Sequence, residues 1–266
     1  MIIGISGKIG AGKDTVGKII QYLTNCKQND SRIGTLEHFN LFCNLTTYGQ
    51  EWNKDWQIKK FAYKLKQCVS IITGIPIEDL EKEEVKNRLL GEEWNNTKFI
   101  PGLGLTEDKT VDFVLTIRQL LQQLGTEVGR EIHPNFWINA LFIDYTPKIC
   151  SGVVHCALAG KYNISCWECP EYPNWVITDV RFPNEVKAIK DKGGIVIRVD
   201  KITDNMLIDN DTRAIINYQH KSETALDNAT FDYTVSAKQG DIESLIQQTK
   251  EILIKEKLLC LNENKN

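Results

Sequence analysis

Residues 7–15 read GKIGAGKDT, which sets glycines, a lysine, a carboxylate and a hydroxyl close to the spacing of a phosphate-binding loop. The pattern G-x-x-x-x-G-K-[ST] is met by Gly7, Gly12 and Lys13, but its last position carries Asp14, with Thr15 one step later. In such a loop the backbone N–H groups of Lys8, Ile9, Gly10, Ala11, Gly12 and Lys13 point inward around an anion, and the positive end of the following helix completes the cradle. Gly10 and Gly12 permit the close approach and the unusual dihedrals this needs. Lys13 supplies a point charge to the β and γ phosphates of a nucleoside triphosphate, and the hydroxyl after it normally ligates magnesium.

Asp14 admits three accounts. Its carboxylate ligates Mg²⁺ directly or through water; Thr15 turns its hydroxyl to the metal instead; or Asp14 is an anion that stabilises the first turn of a helix. Asp179 ends the apolar run WVITD, a Walker-B-like position at the carboxyl end of a strand, with a turn or helix-capping aspartate as the alternative. Arg181, two residues on, brings a planar fork suited to a phosphate, or to a surface salt bridge. Lys66, Arg118, Gln122 and Arg130 are cation and amide candidates for a second anionic substrate, or solvated flanks of an apolar stripe. His155, Cys156, Cys166 and Cys169 could close a tetrahedral zinc site, although a single C-x-x-C without a second pair is a weak signal. There is no G-x-S-x-G elbow and no serine or cysteine nucleophile signature.

These residues need elements to hold them. MIIGI reads as a short strand, and Val16, Ile19, Ile20 and Leu23 then fall on one helical face. Residues 28–57, with Trp52 and Trp56, read as loop and short helix. KKFAYKLKQCVSII predicts a helix from Lys59 to Ile72 that buries Phe61, Leu65, Cys68, Val69 and Ile72 and ends at Thr73 and Gly74. Residues 78–110, charge-dense and then rich in glycine and proline, are a candidate lid. From Val111, the stripe Ile117, Leu120, Leu121, Leu124 and Val128 predicts a long, largely buried helix, and Pro134 opens another. Residues 150–174 read as an insertion. WVITDV, RFPN, EVKAIKDK, the pair Gly193 and Gly194, and IVIRV form a βαβ unit, which implies a parallel sheet. FDYTV alternates like a strand, and a terminal helix follows Asp241. No internal repeat or linker divides the 266 residues, so one domain is expected.

Composition narrows the class. The chain is 42% hydrophobic and 25% charged with a formal net charge of −3, which fits a globular core and offers no global basic field for nucleic acid or membrane. No apolar run approaches the roughly 20 residues of a membrane span, and no export signal is evident, so a cytoplasmic protein is expected. Its eight cysteines are then expected to be reduced thiols.

Together these segments resemble the deoxynucleoside monophosphate kinase family of tailed phages and related bacteria. The resemblance rests on GKIGAGKDT, FAYKLK, RQLLQQLGTEVGREIHPNFWI, VITDVRFPNEVKAIKDKGG, and HKSETALDN followed by FDYTV; residues 28–57 and 150–174 lie outside it. It implies a P-loop nucleoside triphosphate hydrolase-like three-layer α/β/α fold with a mostly parallel central sheet. It implies transfer of the γ-phosphoryl of Mg-ATP to a deoxynucleoside monophosphate, in the cytoplasm (the host's, for a viral chain). Loops of the family often read G-K-D-T. By resemblance, Lys8 through Thr15 hold ATP, with Mg²⁺ on Asp14, Thr15 or Asp179; Lys13, Asp179 and Arg181 serve the chemistry; and Lys66, Arg118, Gln122, Arg130, Trp137 and Arg181 take the monophosphate. No nucleic acid or membrane partner is implied, and a homodimer is left open. The alternatives are another small-molecule kinase with the same loop, of the phosphomevalonate or dephospho-coenzyme-A kinase type, and a nucleotide-binding regulatory module without turnover.

Overall fold

A computed structural model of the chain describes residues 1–26, 32–47, 55–94, 96–98, 111–147, 172–202 and 224–259. In chain order the elements are β1 (Ile2–Ser6), α1 (Lys13–Asn25), α2 (Leu36–Thr47), β2 (Trp56–Lys59), α3 (Ala62–Thr73), α4 (Glu83–Lys86), β3 (Asn96–Lys98) and β4 (Val111–Phe113). They continue with α5 (Ile117–Gln122), α6 (Gly129–Ile132), α7 (Phe136–Phe142), β5 (Asn174–Val180), α8 (Pro183–Lys190), β6 (Ile195–Ile202), β7 (Tyr233–Lys238) and α9 (Ile242–Lys255). The chain forms two compact units, Met1–Lys60 with Phe142–Asn266, and Phe61–Leu141.

The first unit is α/β. Its five-stranded sheet runs β2-β5-β1-β6-β7 and every pair in it is parallel. Parallel strands covered on both faces read as unbroken apolar runs, and β1 is buried at all five positions. Ile3 and Ile5 join α1, α2 and α9 in one core that includes Val16, Ile19, Leu23, Phe39, Leu245, Ile246 and Leu253. Gly4, one residue out of phase, faces α8: a Cβ there would meet Ile189 Cδ1 at 2.6 Å and Val196 Cγ2 at 3.4 Å. Helices therefore cover both faces of the sheet. The connection leaving β1 runs through α1 on one face, and the connection leaving the adjacent β5 runs through α8 on the other. Anionic ligands of open α/β sheets bind at such a switch point, outside the carboxyl ends of the strands.

The start of α8 is set by its own residues. Pro183 stands in the first turn, where a missing N–H costs nothing. Glu185, fully buried, reaches back to accept the backbone N–H groups of Arg181 at 2.7 Å and Phe182 at 3.0 Å.

The second unit packs α3, a 3₁₀ turn at Asp79–Glu81, α4 and α5 around Leu65, Val69, Leu80, Val85, Ile117 and Trp137. β3 and β4 form an antiparallel pair. Thr116 caps α5 through a reciprocal box with Gln119.

Two expected elements differ from the fold observed. The helix expected from Lys59 begins at Ala62, because Trp56–Lys59 instead pairs with β5 as an edge strand. Cys68 is exposed in it, Ile72 is 52% exposed, and Lys66 is buried. The apolar face thus runs along Leu65 and Val69, one step round from the predicted stripe. The long helix expected from Val111 begins only at Ile117 and contains a π-helical turn at Gln123–Val128, which leaves Val128 47% exposed. Of the insertion expected at 150–174, only the last three residues are described, and most of 95–110 likewise lies outside the described residues.

Candidate functional site

The glycine-rich loop joins the carboxyl end of β1 to α1 at the switch point. Three of its glycines carry positive φ: Gly7 at 156°, Gly10 at 73° and Gly12 at 96°. At Gly7 the requirement is also steric, since a Cβ would stand 2.5 Å from the Val199 carbonyl oxygen of β6. At Gly10 a Cβ would meet nothing within 4 Å, so the tip of the loop is open. Lys13 folds back over the loop, donating from Nζ to the carbonyl oxygens of Gly7 and Lys8, each at 2.7 Å. This arrangement holds the ammonium on the loop's own carbonyl oxygens.

Asp14 sits in the first turn of α1 with an exposed carboxylate engaged on both oxygens. Thr178 donates its hydroxyl to Oδ1 at 2.7 Å. Lys60 Nζ lies 3.1 Å from Oδ1 and 3.3 Å from Oδ2. Partial burial pushes this carboxyl up, but the Thr178 hydrogen bond, the Lys60 ammonium and the charge of Lys13 together outweigh it and hold it below the usual carboxylate range. A carboxyl with a depressed folded-state pKa stabilises the fold above its unfolded value, near pH ~4, and that stability is lost as pH falls through the folded value. The wild type should therefore exceed Asp14→Asn in urea midpoint at pH 7, with a narrower gap at pH 3. A gap of equal size at both values would contradict this. The exposure of the pair makes the gap small and sensitive to salt.

Thr178 reaches Asp14 because it follows Val176 in regular alternation on the α1 face, and the irregularity of β5 comes after it. Gly4 pairs with Ile177 and Ser6 with Val180, so two steps of β1 are met by three of β5. Such a bulge re-aims side chains. Val176 and Thr178 face α1, where a Cβ on Gly17 would strike Thr178 Cγ2 at 2.6 Å, while Val180 lies against Gly4 on the face of α8. Thr178 is buried, whereas Asp179 and Arg181 are half-buried at the same carboxyl end. Thr15 follows in α1, half-buried.

Lys8 is ion-paired to Asp227, in the stretch that Leu226 anchors by burial. Ser6, buried at the end of β1, accepts from Arg198 Nη1 at 3.3 Å; Arg198 Nε also donates to Asp200 at 2.9 Å, and its guanidinium lies 5.5 Å from the centre of the Phe231 ring.

The other candidates belong to the second unit. Lys66 is nearly buried and paired with Glu81. Arg118 binds Glu83 through Nη2 and donates from Nε to Asn87 Oδ1 at 3.1 Å. Burial pushes the Glu83 carboxyl up, but Lys86 and Arg118 outweigh it and hold it low. Gln122 closes α5 just before the π-turn, and Arg130 follows that turn, with Nη1 3.5 Å from the Pro134 carbonyl oxygen. Trp137 is only 6% exposed and donates its indole N–H to the Gly125 carbonyl oxygen at 2.7 Å. A straight α-helix puts residues four apart on one face, and a π-turn sets the following residues back by about one position. It thereby rotates Arg130 toward the Arg118 and Gln122 side.

Sequence reasoning missed Thr178, Lys60 and Asp227. His155, Cys156, Cys166 and Cys169 lie outside the described residues, and among the described residues no group of three or more His, Cys, Asp or Glu could hold a metal ion. Also among the described residues, no helix is long and apolar enough to cross a membrane. No family model matches the chain, and no curated protein matches it.

Proposed function

We propose that this chain is an ATP-dependent deoxynucleoside monophosphate kinase, with the three-layer α/β/α architecture of P-loop nucleoside triphosphate hydrolases. The observation that carries the reading is the glycine loop at the β1/β5 switch point, with Lys13 turned over it and Asp14 and Thr15 opening α1. The residue types and spacing match a triphosphate cradle, and the strand-loop-helix context matches as well.

The donor set suits a hard cation: the Thr15 hydroxyl and the Asp14 and Asp179 carboxylates are oxygen ligands, and magnesium on a nucleotide takes few of them from protein. Held there, magnesium would supply charge neutralisation to the phosphates. The chain's own residues do the rest. The loop N–H groups and Lys13 hold the phosphates, and Arg181 lends a further cation. Lys66, Arg118, Gln122 and Arg130 bind the monophosphate on this reading, and Trp137 holds the π-turn between the last two. An anionic phosphate oxygen of the acceptor attacks the γ-phosphorus. The bond to the β-bridging oxygen breaks with its electron pair, leaving ADP and a deoxynucleoside diphosphate. The nucleophile is already ionised, so no general base is needed, and alignment with charge neutralisation suffices.

ADP release tested against a panel of acceptors separates this from its rivals. Release with deoxynucleoside monophosphates supports it. Release only with phosphomevalonate or dephospho-coenzyme A points to another small-molecule kinase, and tight ATP binding with no acceptor-dependent release points to a regulatory module.

A further inference from the structure

Lys60 was not a candidate from sequence, yet it is the cation that pairs with the loop's own carboxylate. It follows the carboxyl end of β2, the strand hydrogen-bonded to β5, so it stands on the sheet edge where β1 delivers the glycine loop. The pairing is built rather than incidental. Thr178 is 2% exposed, lies in the irregular end of β5, and is fixed against Gly17 so closely that a Cβ there would stand 2.6 Å away. Its hydroxyl fixes Asp14 Oδ1, and the oriented carboxylate then receives Lys60 on both oxygens.

Two consequences follow. Magnesium binds oxygen at about 2.0–2.1 Å, and on a carboxylate that already receives the Thr178 hydroxyl and an ammonium on both oxygens it would meet like-charge repulsion and few remaining lone-pair positions. The Thr15 hydroxyl carries no such conflict of charge. Further, an ammonium has three N–H donors in a tetrahedral array, so pairing with Asp14 is compatible with a phosphate oxygen as another acceptor.

We propose that Asp14 is a positioning residue that presents Lys60 to the transferred phosphoryl group, and that the magnesium of the site is held by Thr15 rather than by Asp14. This rests on the kinase reading given above. Lys60 then meets charge that develops in transfer, and removing such a donor costs about 10²-fold in turnover. Asp14 acts through Lys60, so the two substitutions share one effect and do not add.

The test measures ATP affinity by calorimetry, with magnesium and with a chelator, beside steady-state kinetics, for the wild type, Asp14→Asn, Lys60→Met, Lys60→Arg, Thr15→Val and the Asp14→Asn/Lys60→Met pair. Asp14→Asn and Lys60→Met are expected to lower kcat and kcat/KM together, about 10²-fold, with unchanged melting temperature at pH 7 to within a few degrees. Their gain in ATP affinity on adding magnesium should equal that of the wild type, Thr15→Val should lose that gain, and Lys60→Arg should recover part of the rate. The pair should be no slower than Lys60→Met alone. Loss of the magnesium gain in Asp14→Asn, or wild-type kinetics in Lys60→Met, overturns the proposal. A wild type that binds ATP but phosphorylates no deoxynucleotide sinks the kinase reading and with it the role of Lys60, while calorimetry still decides between Asp14 and Thr15 for the metal. A wild type that binds no ATP overturns both.

Discussion

Lys13→Ala is expected to lower phosphoryl transfer by about 10³-fold, the scale on which a cation or donor aimed at a phosphoryl transition state acts. Lys13 is the first side chain of α1 and bends back so that its ammonium caps two carbonyl oxygens of the loop that precedes it. Alanine removes the charge over the cradle while leaving the backbone path to Gly7, Gly10 and Gly12. The fold should survive, since the α1 core contacts come from Val16, Ile19, Ile20, Tyr22 and Leu23, on another face of the helix. Circular dichroism and melting would then resemble the wild type while kcat/KM collapses. A variant with kcat/KM within about twofold of the wild type would refute the role of the loop. Lys13→Arg should rescue poorly, because a planar fork does not replace a compact point charge.

The largest expected change in stability is at Trp137. Its ring is buried beside Leu65, Val69, Leu80, Val85 and Ile117, and its N–H satisfies the Gly125 carbonyl within the π-turn. Gly129 approaches so closely that a Cβ there would stand 2.8 Å from the indole nitrogen. Trp137→Ala should therefore destabilise by about 4 kcal/mol, from a large cavity together with an orphaned carbonyl. Trp137→Phe, which keeps most of the ring volume and loses the donor, should cost about 1–2 kcal/mol. Urea unfolding measures both. A tryptophan that served only to stack on a substrate would instead shift KM with less than about 1 kcal/mol lost from the fold, and that result would contradict the assignment of Trp137 to the π-turn. A pure donor effect is separated from a packing effect by the ratio of the two variants.

The sequence made the loop legible because a phosphate cradle depends on local spacing: three glycines and a lysine within seven residues fix the backbone whatever surrounds them. The βαβ unit from Trp175 to Val199 was legible for a related reason, since WVITDV and IVIRV are runs that only a strand buried on both faces would carry. Lys60 was hidden by a coincidence of period. KKFAYKLK reads as helix from its first residue, whereas the first lysine completes an edge strand of only four residues, and the pairing with β5 that decides this is 115 or more residues distant in sequence. Thr178 was hidden by one residue. The motif pattern singles out the carboxylate of Asp179, whereas plain alternation from Val176 already sets Thr178 on the α1 face, where it gives Asp14 its partner. The π-turn left no mark in the apolar stripe, which continues through Leu124 to Val128; only the close contacts of Gly125 on Leu65 and of Gly129 on Trp137 explain it. In each case the missing information was tertiary.

Transfer of labelled γ-phosphate from ATP to each of the four deoxynucleoside monophosphates, with magnesium present, tests the central claim most directly. The account predicts labelled deoxynucleoside diphosphate from at least one of them, dependent on Lys13. No labelled diphosphate from any of the four, by protein that is folded and binds ATP, would contradict it.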